Sequence, residues 1–330
     1  MKKKILAVVL SAMLCLVCFA GCGGNGKTKV RLSEVTHSIF YAPLYIAINN
    51  GYFEEEGLEI ELTNAGGADK VMTAIASNSA DIGLMGPEAT IYCHVEGQRN
   101  YPVIFGQLTA CDGSFLVGRN PEPDFKWENL ENKHILAGRA GGVPAMTLQY
   151  VCNSAGLYHD KNINLDTTVA FDLMVGAFEG DTKYDYVTMF EPTASEYQAA
   201  GKGYIVASVG AAAGSVPYTA FSASKSYLEK NRDTALAFLR AVVKGYKYLI
   251  DNPSDKVAPA LEASFVGTPL ASIAAAIDSY REIGAWSSTP VMKEEDFDHL
   301  MDIMENAGTL SSRADFDLAV DNSLAKEVIA

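Results

Sequence analysis

Basic side chains are in short supply in this chain of 330 residues: 26 Lys and Arg stand against 40 Asp and Glu, a formal net charge of −14. The only charges among residues 1 to 21 are Lys2, Lys3 and Lys4, so a chain beginning at Cys22 would hold 23 basic against 40 acidic residues. No basic face is left to neutralise a phosphate backbone or an anionic lipid surface, which argues against nucleic acid as a partner. Net charge governs solubility and steering, so an anion in a local pocket stays open. Proline is scarce, at 12 residues against 28 Gly, and with 48% hydrophobic and 20% charged residues neither disorder nor a collagen-like repeat fits. No G-x-S-x-G and no H-E-x-x-H occurs, so the common hydrolase signatures are missing. The five histidines, His37, His94, His134, His159 and His299, are scattered and give no metal-ligand spacing. What is present, in length and apolar content, is enough for about two domains.

No apolar run reaches the about 20 residues of a membrane helix; the longest, Ile5 to Ala20, follows Lys2 to Lys4 and precedes Gly21-Cys22-Gly23-Gly24-Asn25-Gly26. That order marks an export signal. The junction resembles the lipobox of bacterial lipoproteins, with Phe19 where leucine is usual. It implies a signal peptide over 1–21, lipidation of Cys22, a tether over 22–28 and anchoring to the outer face of the cytoplasmic membrane. A conventional secretory signal cut near Gly21 is the alternative, and it also exports the chain. Cys15 and Cys18 leave with the signal, and Cys22, Cys93, Cys111 and Cys152 show no C-x-x-C or C-x-x-H spacing, so no zinc site is expected. Outside the membrane Cys93 and Cys111 can form a disulfide; as scattered cysteines they otherwise fit as small buried residues.

Period-two alternation predicts a strand over Lys29–Val35, and Pro43 to Asn50 reads as a helix with proline in its first turn and Gly51 ending it. Strands follow at Gly57–Leu62 and Asp81–Met85, with helices over Ala68–Ser77 and Glu88–Val95. A second block repeats the alternation. Ile135–Ala137, Thr167–Phe171, Tyr186–Met189 and Tyr204–Val209 are expected strands, and Ala145–Ser154 and Pro192–Ala200 expected helices. From Lys225 onward long amphipathic helices are expected over Asp233–Ile250, Pro269–Ile283 and Glu294–Ala307. Strand and helix in alternation indicate an α/β class with mostly parallel sheets.

Tyr41-Ala-Pro-Leu-Tyr-Ile-Ala-Ile-Asn-Asn-Gly-Tyr-Phe-Glu-Glu-Glu-Gly-Leu-Glu-Ile60, followed by Ser79-Ala80-Asp81-Ile82-Gly83-Leu84, resembles the extracytoplasmic solute-binding proteins of the sulfonate, nitrate, taurine and thiamine-pyrimidine (NMT1/THI5-like) group. The resemblance covers residues 29 to about 250. It implies a type II solute-binding fold: two α/β lobes, a ligand cleft between them, and delivery of a small-molecule ligand to ABC permease subunits by a monomeric carrier without a cofactor. By this resemblance lobe one comprises 29–117 and 219–330, lobe two 118–218, and the chain crosses over near Phe115-Leu116-Val117 and Tyr218-Thr219-Ala220-Phe221. Such short extended segments can absorb the dihedral change of closure.

Ligands in open α/β sheets sit beyond the carboxyl ends of strands, where helix N-termini present free amides. That rule places Thr36, His37, Ser38 and Tyr41 after strand one, Gly66 and Gly67 after strand two, and Gly86, Pro87 and Glu88 after strand three. In lobe two it places Arg139, Gly141, Gly142 and Val143, and then Glu191 and Pro192. The paired glycines permit close backbone approach or plain turns. Tyr41, with Tyr218 as second choice, can stack on a planar ligand or simply pack. Glu88, Asp112 and Glu191 suit amino or ring N–H donors, although an acid in a helix's first turn is favoured by the macrodipole anyway and Asp112-Gly113 is equally a turn signal. Arg139 and His37 suit planar anions. Of the two, an amino-substituted heterocycle is preferred.

No enzyme is expected. The pyridoxal phosphate lysine and the consumed histidine of the related thiamine-pyrimidine synthases fall at Met85 and Ala89, and the cysteine cluster of those synthases is absent. A sensory or adhesive lipoprotein on the same fold is a further alternative, since fold does not fix function.

Overall fold

The computed structural model describes residues 26–330; the expected signal peptide, Cys22 and most of the expected tether lie outside the described residues. Two five-stranded sheets organise the chain, in the orders β2-β1-β3-β10-β4 and β7-β6-β8-β5-β9. The first contains β1 (Thr28–Glu34), β2 (Leu58–Asn64), β3 (Ile82–Met85), β4 (Pro102–Thr109) and β10 (Thr219–Ser224). The second contains β5 (Ser114–Gly118), β6 (His134–Leu136), β7 (Asn164–Asp166), β8 (Tyr186–Phe190) and β9 (Tyr204–Ser208). β1 pairs parallel with β2 and β3, and β6 parallel with β7 and β8. One strand in each sheet runs against the rest: β10 is antiparallel to β3 and β4, and β5 to β8 and β9. Both sheets are therefore mixed in pairing while four of their five strands share one direction.

Around the sheets lie α1 (Ala42–Asn49), α2 (Ala68–Ala76), α3 (Glu88–Val95), α4 (Val143–Ser154), α5 (Thr193–Ala199), α6 (Arg232–Asp251), α7 (Leu270–Glu282) and α8 (Glu294–Asn306). α1 begins with Pro43 in its first turn and stops at Gly51, whose φ of 75° ends the helix at no steric cost. α6 buries one apolar stripe, Leu236, Leu239, Val242, Tyr246 and Leu249, against the first sheet and α1. Full burial of each such aliphatic side chain contributes about 1.5–3 kcal/mol. Gly245 lets α6 lie directly on the Pro43 carbonyl, which any Cβ there would strike. The Arg31 guanidinium grips Asp81 through Nε (3.0 Å) and Nη2 (2.5 Å), tying β1 to the turn before β3. A separate core of Leu116, Leu130, Ile135, Leu148, Val151 and Leu165 fills the second half.

The expected strand at Thr167–Phe171 does not form. Asp166 Oδ1 accepts from Thr168 N (2.9 Å) and Thr168 Oγ1 (2.6 Å), a turn that ends β7 early, and Phe171–Leu173 is a 3-10 turn. Val209 likewise leaves the strand side: Ser208 Oγ accepts from Ala211 N (3.1 Å) and caps a short helix, Val209–Ala213. α4 begins at Val143, two residues before its expected start, because Pro144 suits a first turn. β4 is not visible as alternation since all eight of its residues are buried.

The boundary expected after Val117 also shifts. The chain leaves the first sheet after Thr109 and joins the second at Ser114, so Phe115, Leu116 and Val117 are paired with β8 and β9, and Ala110 to Gly113 form the crossing segment. The return passage runs through Gly214 to Tyr218 into β10. The late helices bridge both halves: Glu191 N donates to Tyr280 Oη (3.0 Å), His299 Nε2 lies 2.9 Å from Ala213 O, and Asn153 Nδ2 donates to Asn306 Oδ1 (2.7 Å). Cys93, Cys111 and Cys152 are free, buried thiols, so the Cys93–Cys111 disulfide does not form in this structure. Among the described residues no helix is long and apolar enough to cross a membrane.

Candidate ligand-binding cleft

Strand ends from both sheets converge on one cavity of about 480 Å3. The first sheet brings Val35, Thr36 and Tyr41 after β1, Asn64 to Lys70 after β2, and Gly86 and Glu88 after β3. The second brings Arg139, Gly142, Val143 and Pro144 after β6, Ala170 to Asp172 beyond β7, and Phe190 at the end of β8. Tyr218 and Thr219, on the returning strand, complete the lining. This volume falls in the range of small-molecule sites.

Ten of the seventeen residues expected from sequence line this cavity: Thr36, Tyr41, Gly66, Gly67, Gly86, Glu88, Arg139, Gly142, Val143 and Tyr218. The other seven are placed elsewhere: Ser38 Oγ accepts from Phe40 N (3.2 Å) at the start of the turn Ile39–Tyr41, and Pro192 stands at the N-cap of α5. The His37 ring lies 3.1 Å from Glu34 Oε1 and 2.6 Å from Ser264 O, between the rings of Tyr45 and Phe265, so it ties β1 to the loop before α7. The Glu34 hydrogen bond raises its pKa. Glu191 accepts from Ser195 N (3.0 Å) and Ser195 Oγ (2.7 Å), and its carboxylate serves the first turn of α5. The Gly141 carbonyl accepts from Tyr92 Oη (3.3 Å), a contact between the two halves. Pro87 stands at the N-cap of α3, between the lining residues Gly86 and Glu88, and is not itself part of the lining. Asp112 lies in the crossing segment, fully buried, with Oδ1 accepting from Ser114 N (2.6 Å) and Ser114 Oγ (2.5 Å).

The floor and the mouth differ in polarity. Tyr41, Glu88 and Tyr218 are only 2%, 3% and 5% exposed. Burial pushes the Glu88 carboxyl up to about 7, while Arg139 and the backbone N–H groups of Glu88 and Ala89 pull it down. Asp112, beside Tyr218, is also pushed up to about 7 by burial against the opposing pull of Ser114. At the mouth, the exposed Arg139 Nη2 lies 3.8 Å from Asp69 Oδ1 across the cleft, and Lys70 and Asp172 are exposed beside them. Among the described residues this is the ion pair that joins the two sheet halves.

Aromatic rings form one wall. Phe190 meets Phe171 edge-on at 5.5 Å and Tyr218 at 6.3 Å, with Phe40 behind at 5.8 Å. Such a wall, with Tyr41 beside Phe40 also in the lining, can take a flat ring. Phe171 escaped notice because it was expected inside a strand. Phe190 obeys the same rule as the other lining residues and was legible at the carboxyl end of β8. Gly66 has a φ of 74° and donates to Asn64 Oδ1 (3.0 Å), while Gly142 N donates to Arg139 O (3.1 Å). Both glycine pairs therefore shape turns, and the Gly142 amide is not free. The spacing Gly21-x4-Gly26-Lys27-Thr28 matches a phosphate-binding loop, yet such a loop opens a helix and Thr28 opens β1.

Two α/β halves joined by crossing segments, with a cleft at the strand ends of both, define the periplasmic binding protein fold. The chain belongs to the NMT1/THI5 like family, which matches residues 39–256. It is 38% identical over 301 residues to YtlA of Bacillus subtilis, provisionally named as a binding protein, covering 91% of this chain and 90% of that one. A 4-amino-5-hydroxymethyl-2-methylpyrimidine phosphate synthase of Schizosaccharomyces pombe is 30% identical over 121 residues, which cover 36% of this chain and 33% of the synthase. In structure the chain resembles the alkanesulfonate-binding protein SsuA of Xanthomonas axonopodis bound to MOPS, with a TM-score of 0.72 at 14% identity over 90% of this chain and 99% of that one. The periplasmic nitrate-binding protein NrtA of Synechocystis gives 0.67 at 16% identity, over 92% and 88%. At these identities the likeness is one of fold.

Proposed function

We propose that this protein is the extracytoplasmic solute-binding component of an ABC importer: a monomeric lipoprotein, held to the membrane through Cys22, that captures a small polar or heteroaromatic solute, with a pyrimidine of the thiamine-precursor kind preferred, by lobe closure and presents it to the permease. The observation that carries the reading is the cavity of about 480 Å3 bounded by strand ends of both sheets, with an aromatic wall and a buried acid. A ligand touching both halves favours the closed state by the contacts that only closure completes. A micromolar dissociation constant, about −8 kcal/mol, requires a few hydrogen bonds and one stacked ring after ordering costs. Capture of sulfonate, taurine, nitrate or bicarbonate is the second reading, favoured by Arg139 and Lys70 at the mouth. It is weakened by Asp69, which already faces Arg139. The synthase reading is weakened by Met85, buried inside β3, and Ala89, where the resemblance puts a lysine and a histidine.

A thermal-shift screen with thiamine and its pyrimidine precursors, sulfonates, taurine, nitrate and bicarbonate tests the function. A ligand at a hundredfold excess over Kd raises stability by about 2.7 kcal/mol. A shift with one class supports the reading, and silence across the panel after denaturation and refolding to strip co-purified ligand counts against it. Cys22→Ser is expected to give a protein free of lipid by intact mass; an acylated mutant would refute the anchor.

A further inference from the structure

Glu88 is the one lining acid that the structure both buries and leaves unsatisfied. It opens α3, and a first-turn acid needs only proximity to the helix dipole, which an exposed carboxylate supplies equally well. Asp69 does this in the first turn of α2: its side chain is 60% exposed and paired with Arg139. The Glu88 side chain instead folds back over Gly86, where any Cβ would strike the carboxylate, and is buried at the cavity lining. Its Oε2 has no hydrogen-bond partner. A buried carboxylate oxygen without a donor is costly, and the backbone N–H groups of Glu88 and Ala89, which the fold turns toward this carboxyl, leave Oε2 open. The hydroxyl of Tyr218, also lining the cavity, faces the Asp112 carboxyl behind it, so Asp112 is answered from within the fold and Glu88 is the acid left open to the cavity. Both lining cations, Lys70 and Arg139, are exposed at the mouth. An oxyanion set at the floor would face the Glu88 carboxyl, with Asp112 behind Tyr218, whereas an N–H donor would complete the hydrogen bonding of Glu88.

We propose that Glu88 is the specificity-determining anchor of this cleft, accepting an N–H donor from a flat, amino-substituted ring and disfavouring oxyanions. This rests on the reading of the cleft as a small-molecule site and names the chemistry that the site selects. The aromatic wall sets the ring plane while Glu88 fixes which edge points inward.

Calorimetric titration of the purified protein, stripped of co-purified ligand, tests this with 4-amino-2-methylpyrimidine, 2,4-dimethylpyrimidine, which has no N–H donor, ethanesulfonate and nitrate. The amino compound is expected to bind about tenfold or more tightly than the dimethyl compound, with ethanesulfonate and nitrate weaker still. Glu88→Gln is expected to lose about tenfold in affinity for the amino compound while unfolding as cooperatively as the parent. Glu88→Asp, which keeps the charge and shortens the reach, should fall between them. Tight binding of ethanesulfonate or nitrate, unchanged or strengthened in Glu88→Gln, would overturn the inference and leave the small-molecule reading standing. Equal affinity for the amino compound in parent and Glu88→Gln would overturn it as well. Failure of all four probes, with no shift in the wider thermal screen, would overturn the small-molecule reading itself.

Discussion

The two halves of the molecule are built on the same plan, a five-stranded sheet with one reversed strand at the crossing, yet they bring different chemistry to the cleft. The first supplies polar depth: Tyr41, and Glu88 at the opening of α3. The second supplies shape, through Phe171, Phe190 and the Val143–Pro144 turn, and its one lining cation stays at the surface. Shared topology fixes where a ligand is held, since strand ends and helix starts meet there in both halves. Which atoms recognise it depends on individual side chains that the topology does not dictate.

The division of labour can be broken from either side. Gly142→Val places a branched side chain on the second-half turn, where even a Cβ meets Arg139 O at 3.3 Å. Its φ of −89° tolerates a side chain, so the substitution intrudes on the cavity more than on the fold. Ligand affinity is expected to fall at least about tenfold while unfolding stays cooperative; unchanged affinity by calorimetry would remove this turn from the site.

A pH series on the ligand-free protein isolates the first half. Between about pH 4 and 7 the folded protein retains protons on Glu88 and Asp112 that the unfolded chain has released, so stability falls as pH rises through that window and levels off above it. His37, raised by Glu34, acts in the same direction, its contribution being lost as pH rises through its folded pKa. The groups that set Glu88 are Arg139 and Asp69 at the mouth, together with the N-terminus of α3. Chemical unfolding at pH 5 and pH 8 should differ by on the order of 2 kcal/mol, and Glu88→Gln should narrow the difference. A profile identical in parent and variant would show that Glu88 is not held up by burial.

The smallest effect is expected at the mouth. Arg139→Ala removes an exposed pair, and such pairs contribute about 0–1 kcal/mol. Stability should hardly change, and affinity for an uncharged amino-heterocycle should move by less than about threefold. A large loss of affinity would instead make Arg139 the anchor and favour an oxyanion ligand.

Much of this was legible in the sequence because local signals and the fold agree. Pro43 and Gly51 bound α1, Gly66-Gly67 precede α2, and Glu88 opens α3, all close to where the residues place them. The rule that ligands gather at strand ends then reaches ten of the 22 lining residues. Its polar misses share a cause: a polar side chain near a turn can be satisfied locally or across the molecule, and sequence does not distinguish the two. Glu191 serves the first turn of α5, His37 bonds to Ser264 some 227 residues away, and Asp112 closes on Ser114. β4 was silent because a strand buried on both faces carries no alternation. Phe171 was misplaced because the turn at Asp166 and Thr168 depends on side-chain hydrogen bonds that outweigh strand propensity.

The most direct measurement is hydrogen exchange with and without saturating 4-amino-2-methylpyrimidine. A ligand held between the halves should slow exchange in the first-half segments 64–70 and 86–89 and in the second-half segment 139–146 within the same titration. Protection confined to one half, or displaced to the outer hollow beside Arg119, Lys133 and Tyr186, would contradict a site built from both.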